Sequence, residues 1–264
     1  MIKNKSSMFV IIAITIYLIM PIVFTFFYSI FAEWNEVLPK GLTFRYYIQI
    51  LTDLHFMESI GRTLFISILP IVLCTIVILL AMYVVIVFAP QYDKYIQVLS
   101  TIPYALQGVI IAISVLSLYA DAPAPFSNRM VMLTGTYCIL ILPYMYQGIK
   151  NSLNTVNAPR LIEAAQMLGA SRIYAFFAVI VPNILSGITV SALLSAAIIF
   201  GDFVIVNIIG GNYFETSQVY LYKAMFKSGQ LTSAIGVVLF VITLLLSAGV
   251  YFIKNKKLNH GEMK

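Results

Sequence analysis

The sequence PRLIEAAQMLGASRIYAFFAVIVP, from Pro159 to Pro182, decides the fold of this chain. Four charged or amide side chains of this stretch fall within about thirteen residues, namely Arg160, Glu163, Gln166 and Arg172. This density of polar groups is too high for the lipid interior, although long apolar runs flank the stretch on both sides. We therefore expect the stretch to lie in water, against the surface of a membrane.

The same stretch carries the sequence signals of two helices separated by a tight break. Asn157 is a candidate N-cap, and Pro159 fits a first helical turn, where its missing N–H is not needed. Gly169 suits the left-handed position that follows a helix. Ser171 is a candidate N-cap for a second helix that begins at Arg172. The prediction is a helix, a turn and a second helix.

These residues resemble the EAA loop of the MetI-like permeases, which are the membrane subunits of type I ABC importers. The resemblance consists of Glu163-Ala164-Ala165, then Gly169 after three residues, and Val181-Pro182 at the end. The family favours Ile or Leu where this chain has Val179 and Val181, a mild departure. The resemblance implies that segment 157–182 forms cytoplasmic coupling helices that dock into a cleft on an ATPase. The alternative is an ordinary surface helix in a cytoplasmic loop.

A docking role also agrees with the side chains of this segment. Ala164 and Ala165 let a partner approach the backbone closely. Glu163 and Arg160 offer charges at the rim of a contact, and three apolar side chains are predicted to form its face: Leu161, Ile162 and Leu168. The predicted ATPase-coupling residues are Arg160, Leu161, Glu163, Ala164, Ala165, Leu168, Gly169 and Ala170.

Composition places the rest of the chain in a membrane. Of the 264 residues, 61% are hydrophobic and 10% are charged, with a mean hydropathy of +0.96; soluble domains carry about 25% charged residues. We predict an all-α integral membrane protein with a single domain (1–264). Its six transmembrane helices are expected near residues 8–31, 60–89, 96–119, 130–149, 177–208 and 232–253. The second and fifth exceed the hydrocarbon thickness, so they should tilt, break or protrude.

The basic residues indicate the orientation. With both termini in the cytoplasm, the inner segments hold ten of the 16 Lys and Arg residues, including Lys3 and Lys264, and the outer segments hold six. This asymmetry follows the positive-inside rule and places segment 157–182 in the cytoplasm. We therefore predict a multi-pass protein of a bacterial plasma membrane. Its net charge of +6 reflects topology rather than nucleic-acid binding.

The sequence lacks the motifs of a nucleotide-hydrolysing or metal-dependent enzyme. None of the 14 glycines is followed by Lys-Ser or Lys-Thr, so there is no P-loop. The two histidines stand alone, and Cys74 and Cys138 lie in apolar runs without metal-ligand spacing. We expect no catalytic residue, no metal and no cofactor, and we expect ATP to be hydrolysed by a separate polypeptide.

Asp202 is the one formal charge placed well within a predicted span. At about 100° per residue, a single stripe of small and polar residues contains Gly187, Ser191, Ser195 and Asp202. In one interpretation Asp202 faces a translocation path shared by two permease subunits, and part of the stripe is their interface. In the other, Asp202 is protonated or hydrogen-bonded near Gly201 and only fixes the helix. The sequence leaves both open.

Polar side chains near proline breaks are further candidates for the path. Pro103 and Pro143 free backbone carbonyls in or at the ends of spans, where kinks and flexible joints form. The candidates that lie near such breaks are Tyr104, Gln107, Tyr137, Tyr144, Tyr146 and Asn207, with Tyr144 beside Pro143 the first among them. The alternative is that the aromatic members belong to the core or to the belt at the membrane interface.

A second resemblance concerns the solute. The segment 200–205 followed by Gly210-Gly211 resembles the spermidine/putrescine branch of the permeases, where an acidic residue precedes Phe-Val in the fifth span. It implies a polyamine or similar small cation, with ferric iron, phosphonates and thiamine-like solutes as alternatives. The family also implies three protein partners: cytoplasmic ATPases, a second permease (identical or paralogous) and an external solute-binding protein.

An ATP-independent channel or an ion-coupled carrier is the alternative from another class. Such carriers usually show inverted repeats or several charges within the membrane. This sequence shows no visible repeat and only Asp202 as an intramembrane charge. The resemblance to the EAA loop therefore favours the importer.

Overall fold

The computed structural model of the chain describes residues 5–34 and 39–261, which are almost entirely helical. The α-helices are α1 (Lys5–Ile30), α2 (Arg45–Thr52), α3 (Leu54–Val87), α4 (Asp93–Thr101), α5 (Gly108–Tyr119), α6 (Arg129–Thr155), α7 (Ala158–Met167), α8 (Arg172–Tyr174), α9 (Val181–Phe200), α10 (Ser217–Met225) and α11 (Gly229–Gly261). A short antiparallel hairpin, β1 (Phe31–Glu33) and β2 (Lys40–Leu42), follows α1. Lys3 and Lys264, which enter the prediction of orientation, lie outside the described residues.

The described part of the chain forms two compact units. One unit contains residues 5–34, 39–60 and 219–246, and its buried side chains include Ile50, Phe56 and Ile235. Within it, α1 is apolar on all sides and exposed along most of its length. A helix that is apolar all round and has no protein cover suits lipid as its surroundings.

The second unit, residues 61–218 and 247–261, is built around the contact between α6 and α9. Gly148 on α6 faces Ser191 on α9, and Gly187 on α9 faces Ser152 on α6. A Cβ atom added at Gly187 would lie 2.7 Å from the Cβ of Ser152, so only glycine permits this spacing. The prediction that this part of the stripe is a dimer interface is thus corrected: Gly187 and Ser191 pack against a helix of their own chain.

The third predicted span, 96–119, is not a single straight helix. A 3₁₀ turn, Ile102–Ala105, follows α4. The helical segment Pro90–Ala105, which ends with this turn, meets α5 at 97°. Pro103 lies in this turn and has no N–H to donate to a continuing helix, and Leu106 is extended. The proline and the extended residue together break the helix, and whether the two segments form one span remains a prediction.

The fifth predicted span, 177–208, does break, as its length suggested. A π-helical turn, Ala175–Ile180, connects α8 to α9 directly before Pro182. Pro182 has no N–H to donate to a carbonyl of the preceding turn, and the chain before it forms this π-helical turn. The continuous helix ends at Phe200, and a second π-helical segment, Val206–Gly210, follows the break.

Four described helical segments are long and apolar enough to cross a membrane: Val10–Ile30, Leu54–Val87, Arg129–Thr155 and Arg172–Phe200. The segments Pro90–Ala105 and Gly108–Tyr119, which meet at 97°, would together be a fifth. The apolar part of α11, Gly229–Leu245, is shorter than these spans. A mostly helical fold with several membrane spans is therefore confirmed. The count of six spans and the single domain remain predictions.

Candidate functional site

Five of the eight predicted coupling residues lie in the helix α7, and the other three directly follow its end. The start of α7 differs from the prediction. Asn157 precedes the helix in the left-handed conformation (φ 51°, ψ 56°), and its side chain makes no capping hydrogen bond. The predicted N-cap role of Asn157 was wrong, because an N-cap residue needs an extended backbone to turn its side chain onto the first N–H groups. Asparagine is one of the few residues that tolerate the left-handed conformation. Pro159 does lie in the first turn, as predicted.

The end of α7 agrees with the prediction in detail. Gly169 has φ +85°, its N–H donates to the carbonyl of Gln166 (2.9 Å), and the N–H of Ala170 donates to the carbonyl of Ala165 (3.0 Å). These two bonds form a Schellman motif, which requires a left-handed residue after the helix. Ser171 then accepts a hydrogen bond from the N–H of Tyr174 (3.3 Å) and caps α8.

The two sides of α7 have different surroundings. Arg160, Glu163 and Ala164 are exposed, and Leu161 and Ala165 are half-buried. Ile162 is only 6% exposed because it packs inside its own chain, so its predicted place in a contact face was wrong. The apolar side chains at the exposed tip are Met167, 89% exposed, and Leu168, 90% exposed. Met167 was missed from the sequence, although its place beside Leu168 at the helix end was a usable signal.

The buried side of α7 rests on the π-helical turn that leads into α9. Phe176 and Ile180 of this turn are fully buried, and α7 packs against it. The ring of Phe176 lies 5.2 Å from that of Tyr83 on α3. The guanidinium of Arg172 lies 5.9 Å from the ring of Phe88, near the end of α3. The predicted coupling segment is therefore joined to two of the candidate membrane helices.

A groove of about 530 Å³ lies along the contact between α6 and α9. Three of the predicted path residues line it: Tyr104, Tyr144 and Ser191. Sequence analysis missed the polar residues that share the lining, which are Gln147, Asn151, Ser152, Thr155, Asn183 and Ser186. Gln147, Asn151 and Thr155 follow one another at intervals of four residues on α6, which places them on one face of the helix. This spacing could have been recognised in the sequence.

The bend between α4 and α5 brings Tyr104 to this groove. The ring of Tyr104 meets that of Tyr144 edge to face, with centroids 5.1 Å apart. The ammonium group of Lys150 on α6 lies 2.7 Å from the carboxylate of Asp93, which fixes the start of α4. No described lining residue of the groove carries a formal charge. Its walls offer neutral hydroxyl and amide groups and the faces of two aromatic rings.

Asp202 does not line the groove, and its carboxylate has partners inside the protein. Its Oδ2 atom accepts hydrogen bonds from the hydroxyl of Tyr137 (2.9 Å) and from the N–H of Ile205 (3.0 Å). The second bond caps the helical segment 204–210. At the other end of that segment, Arg129 donates to the carbonyl of Ile209 (3.1 Å). Two residues of α6 thus hold both ends of the segment.

The remaining predicted path residues also lie away from the groove lining. Ser195 is fully buried, and its hydroxyl has no hydrogen-bond partner in the described structure. Gln107 is exposed at the N-cap position of α5 but makes no side-chain cap. Asn207 is exposed on segment 204–210, where its N–H donates to the carbonyl of Phe203 (2.9 Å). The structure therefore does not gather the predicted path residues in one place.

Two short exposed helices joined by a tight turn are attached to candidate membrane helices, and a polar groove lies between α6 and α9. This arrangement indicates a membrane transport subunit. Residues 63–259 match the family described as the binding-protein-dependent transport system inner membrane component. The chain belongs to this family, which comprises the permease subunits of type I ABC importers. It is accordingly a multi-pass protein of the plasma membrane, and the resemblance based on the EAA loop is confirmed.

Known relatives cover nearly the whole chain at low identity. A spermidine/putrescine transport system permease protein PotC homolog from Mycoplasma pneumoniae is 22% identical over 98% of this chain and 93% of its own length. A putative 2-aminoethylphosphonate transport system permease protein PhnV from Salmonella typhimurium is 20% identical over 88% of this chain and 87% of its own length. The crystal structure of a bacterial alginate ABC transporter, in complex with an alginate pentasaccharide-bound periplasmic protein, contains a chain of similar fold. It has a TM-score of 0.75 at 15% identity, covering 96% of both chains.

Proposed function

We propose that this chain is one permease subunit of an ATP-driven importer, working with a second permease, cytoplasmic ATPases and an external solute-binding protein. The observation that carries the proposal is the tip of α7, where Met167 and Leu168 are almost fully exposed next to the Gly169 turn. Two large apolar side chains that project into water at a helix end suit a partner's hydrophobic cleft. In this proposal segment 157–182 lies in the cytoplasm, together with both termini.

The contacts of α7 suggest how ATP binding would change the membrane part. When the ATPases close, they would pull α7, which rests on the turn formed by Ala175–Ile180. This turn continues into α9, which packs tightly against α6 beside the polar groove. Movement of α7 would therefore reach the groove through one continuous helical path. Alternating access of the groove to the two sides of the membrane is the expected result. The chain itself would catalyse no bond chemistry.

The groove is our candidate for this subunit's share of the translocation path. Its neutral hydroxyls and amides can replace water around a small hydrophilic solute. The edge-to-face pair of Tyr104 and Tyr144 offers ring faces that attract ammonium groups. Spermidine, putrescine and 2-aminoethylphosphonate, the solutes in the names of two relatives, all contain a primary amine. We therefore propose a small solute with a primary ammonium group, with a polyamine first among the candidates.

Co-purification and uptake test the importer proposal together. The permease should carry an ATPase through purification in mild detergent, and proteoliposomes with the binding protein should accumulate radiolabelled spermidine only when ATP is inside. Met167→Ser with Leu168→Ser should weaken ATPase association, because the exposed apolar tip is removed. Phe226→Ser, which replaces a similarly exposed apolar side chain between α10 and α11, is the matched control. ATPase association that survives loss of the tip would contradict the proposed contact.

The same proteoliposomes distinguish the other candidates. Uptake without ATP would favour an ATP-independent channel, and uptake driven by an imposed proton or sodium gradient would favour a carrier. ATP-dependent uptake of 2-aminoethylphosphonate, ferric iron or thiamine in place of spermidine would keep the importer and change only the solute.

A further inference from the structure

The short helix α2 presents three different faces to its surroundings. Taking Ile48 as origin at about 100° per residue, Ile48 and Leu51 lie at about 0° and −60°. Phe44, which directly precedes α2 and accepts a hydrogen bond from the N–H of Ile48, continues this face at about −40°. Phe44, Ile48 and Leu51 are 65%, 65% and 55% exposed. A second face, from about 40° to 100°, carries the exposed polar side chains of Arg45, Gln49 and Thr52. The third, from about 160° to 260°, carries Tyr46, Tyr47 and Ile50.

The third face fixes the rotation of α2 within its unit. Ile50 is fully buried, the hydroxyl of Tyr46 donates to the carbonyl of Ala32 (3.0 Å), and the hydroxyl of Tyr47 shares a hydrogen bond with that of Ser29. These bonds attach α2 to the end of α1 and to the hairpin that follows it. The first face, which we call the apolar ridge (Phe44, Ile48 and Leu51), therefore points in a defined direction and cannot turn toward the protein interior.

The chain also fixes the level of α2 relative to the membrane. The first candidate span ends at Ile30, and the N–H of Thr43 donates to the carbonyl of this residue (2.7 Å). The next span begins at Leu54, and only Asp53 separates it from α2. A helix tied to the end of one span and joined by one residue to the start of the next lies where both spans meet the membrane surface.

We propose that α2 lies in the headgroup region of the bilayer, with the ridge of Phe44, Ile48 and Leu51 inserted among phospholipid acyl chains. The polar face would then point to water, and Arg45 on this face would meet the lipid phosphates. A helix with one apolar face and a cation on the adjoining face has the pattern of an interfacial anchor. The tyrosines on the protein side also suit this depth. The inference rests on the membrane fold and on neither the solute nor the ATPase.

Spin labelling of the full chain, purified with its partner subunits into phosphatidylethanolamine and phosphatidylglycerol nanodiscs, tests this position. Nitroxide labels at Ile48→Cys and Gln49→Cys are compared for collision with oxygen, which concentrates in lipid, and with a water-soluble nickel chelate. The unsubstituted chain, which contains Cys74 and Cys138, gives the background. We expect a severalfold higher ratio of oxygen to nickel accessibility at position 48 than at position 49, although the positions are adjacent.

Two results would overturn the proposal. Equal ratios at the two positions would place the ridge in water. Low accessibility to both reagents at position 48 would mean that a protein covers it, and recovery of access when the binding protein is omitted would identify that protein. If the cysteine variants do not assemble, Phe44→Trp and Thr52→Trp in a Trp34→Phe background, with brominated phospholipids as quenchers, measure the same contrast.

Discussion

The hydroxyl of Tyr137 donates a hydrogen bond of 2.9 Å to Oδ2 of Asp202, joining α6 to the break that follows α9. The same carboxylate oxygen accepts from the N–H of Ile205. Asp202 thus has two partners within its own chain, as the structural interpretation of this residue requires. Its predicted place on the translocation path remains a prediction, and substitutions can separate the two roles.

Asp202→Asn and Asp202→Ala should differ in stability. Asparagine keeps an oxygen that can accept from Tyr137 and Ile205, whereas alanine removes the cap, at a cost of about 1–2 kcal/mol. We expect the Asn variant to melt close to the wild type in detergent and the Ala variant to melt earlier. Uptake by the stable Asn variant then tests the charge itself. Reduced uptake with normal assembly would place the carboxylate on the path, and normal uptake would leave it a structural role.

Gly169→Val should uncouple ATP hydrolysis from uptake without preventing membrane insertion. No atom lies within 4 Å of a Cβ added at Gly169, so the penalty comes from the left-handed backbone alone. For a non-glycine residue this conformation costs about 1–2 kcal/mol, more for a β-branched one. Gly169→Asn is the matched variant, because asparagine tolerates the conformation, and it should keep most coupled uptake. If the Val variant transports as well as the Asn variant, the turn is not needed for coupling.

Gly187→Ala should destabilise the contact between α6 and α9. The added methyl group would overlap the side chain of Ser152 and force the helices apart, a change of about 1–3 kcal/mol. Gly135→Ala on α6 is the control, since nothing lies within 4 Å of its added Cβ. Thermal unfolding in detergent measures both. A Gly187→Ala variant that is restored by Ser152→Gly would confirm the cause, and equal melting of the two alanine variants would contradict it.

Tyr220→Phe should lower stability in a manner that depends on pH. The hydroxyl of Tyr220 donates to Oδ2 of Asp53 (2.6 Å), and this bond is the main cause that holds the pKa of Asp53 below its ordinary value of 3.8. The stabilisation is fully present above the pKa of the unfolded chain and is lost as the pH falls through the lower folded pKa. We expect Tyr220→Phe to lower the free energy of unfolding by about 1 kcal/mol. This difference should be constant from about pH 5 to 8 and should shrink below about pH 4.

Tyr46→Phe provides the control for this pH dependence. The hydroxyl of Tyr46 donates to the backbone carbonyl of Ala32, which does not titrate in this range. Loss of this hydrogen bond should therefore lower the free energy of unfolding by the same amount at every pH at which the chain stays folded. Melting curves of the two variants over the acid range compare them directly. A Tyr220→Phe deficit that grows on acidification would contradict the assignment to ionised Asp53.

A cysteine at Gln166 tests the proposed orientation. The residue is half-exposed near the tip of α7, so a membrane-impermeant maleimide should reach it from the cytoplasmic side only. Inside-out vesicles should label, and intact spheroplasts should not. The reverse pattern would invert the topology, and with it the proposed docking of an ATPase on α7.

Local signals with a single physical cause were readable from the sequence. Gly169 was predicted because few other residues adopt a positive φ, and Ser171 because its hydroxyl can reach the next turn. Asn157 shows the limit of such reasoning: its residue type suits both an N-cap and a left-handed turn, and only the path of the chain from α6 into α7 selects the second.

Features that depend on packing between elements were not readable. Ile162 was predicted to face a partner, but it is buried within its own chain, on a helix that packs against the π-helical turn before α9. Pro103 predicted a kink in its span, but the sequence did not predict its size, which reaches 97° where the extended Leu106 follows the 3₁₀ turn. Asp202 was recognised as an exceptional charge, yet its partner Tyr137 lies 65 residues earlier in the chain, and only the fold brings them together.

The close fit of Gly187 against Ser152 limits how this protein can change shape. Helices that interlock with no room for a methyl group cannot slide past one another by a helical turn without first separating. In the proposed transport cycle, a pull transmitted from α7 would therefore tilt α6 and α9 together as one rigid pair. The hinges should then lie at the ends of this pair, where the chain is no longer regularly helical.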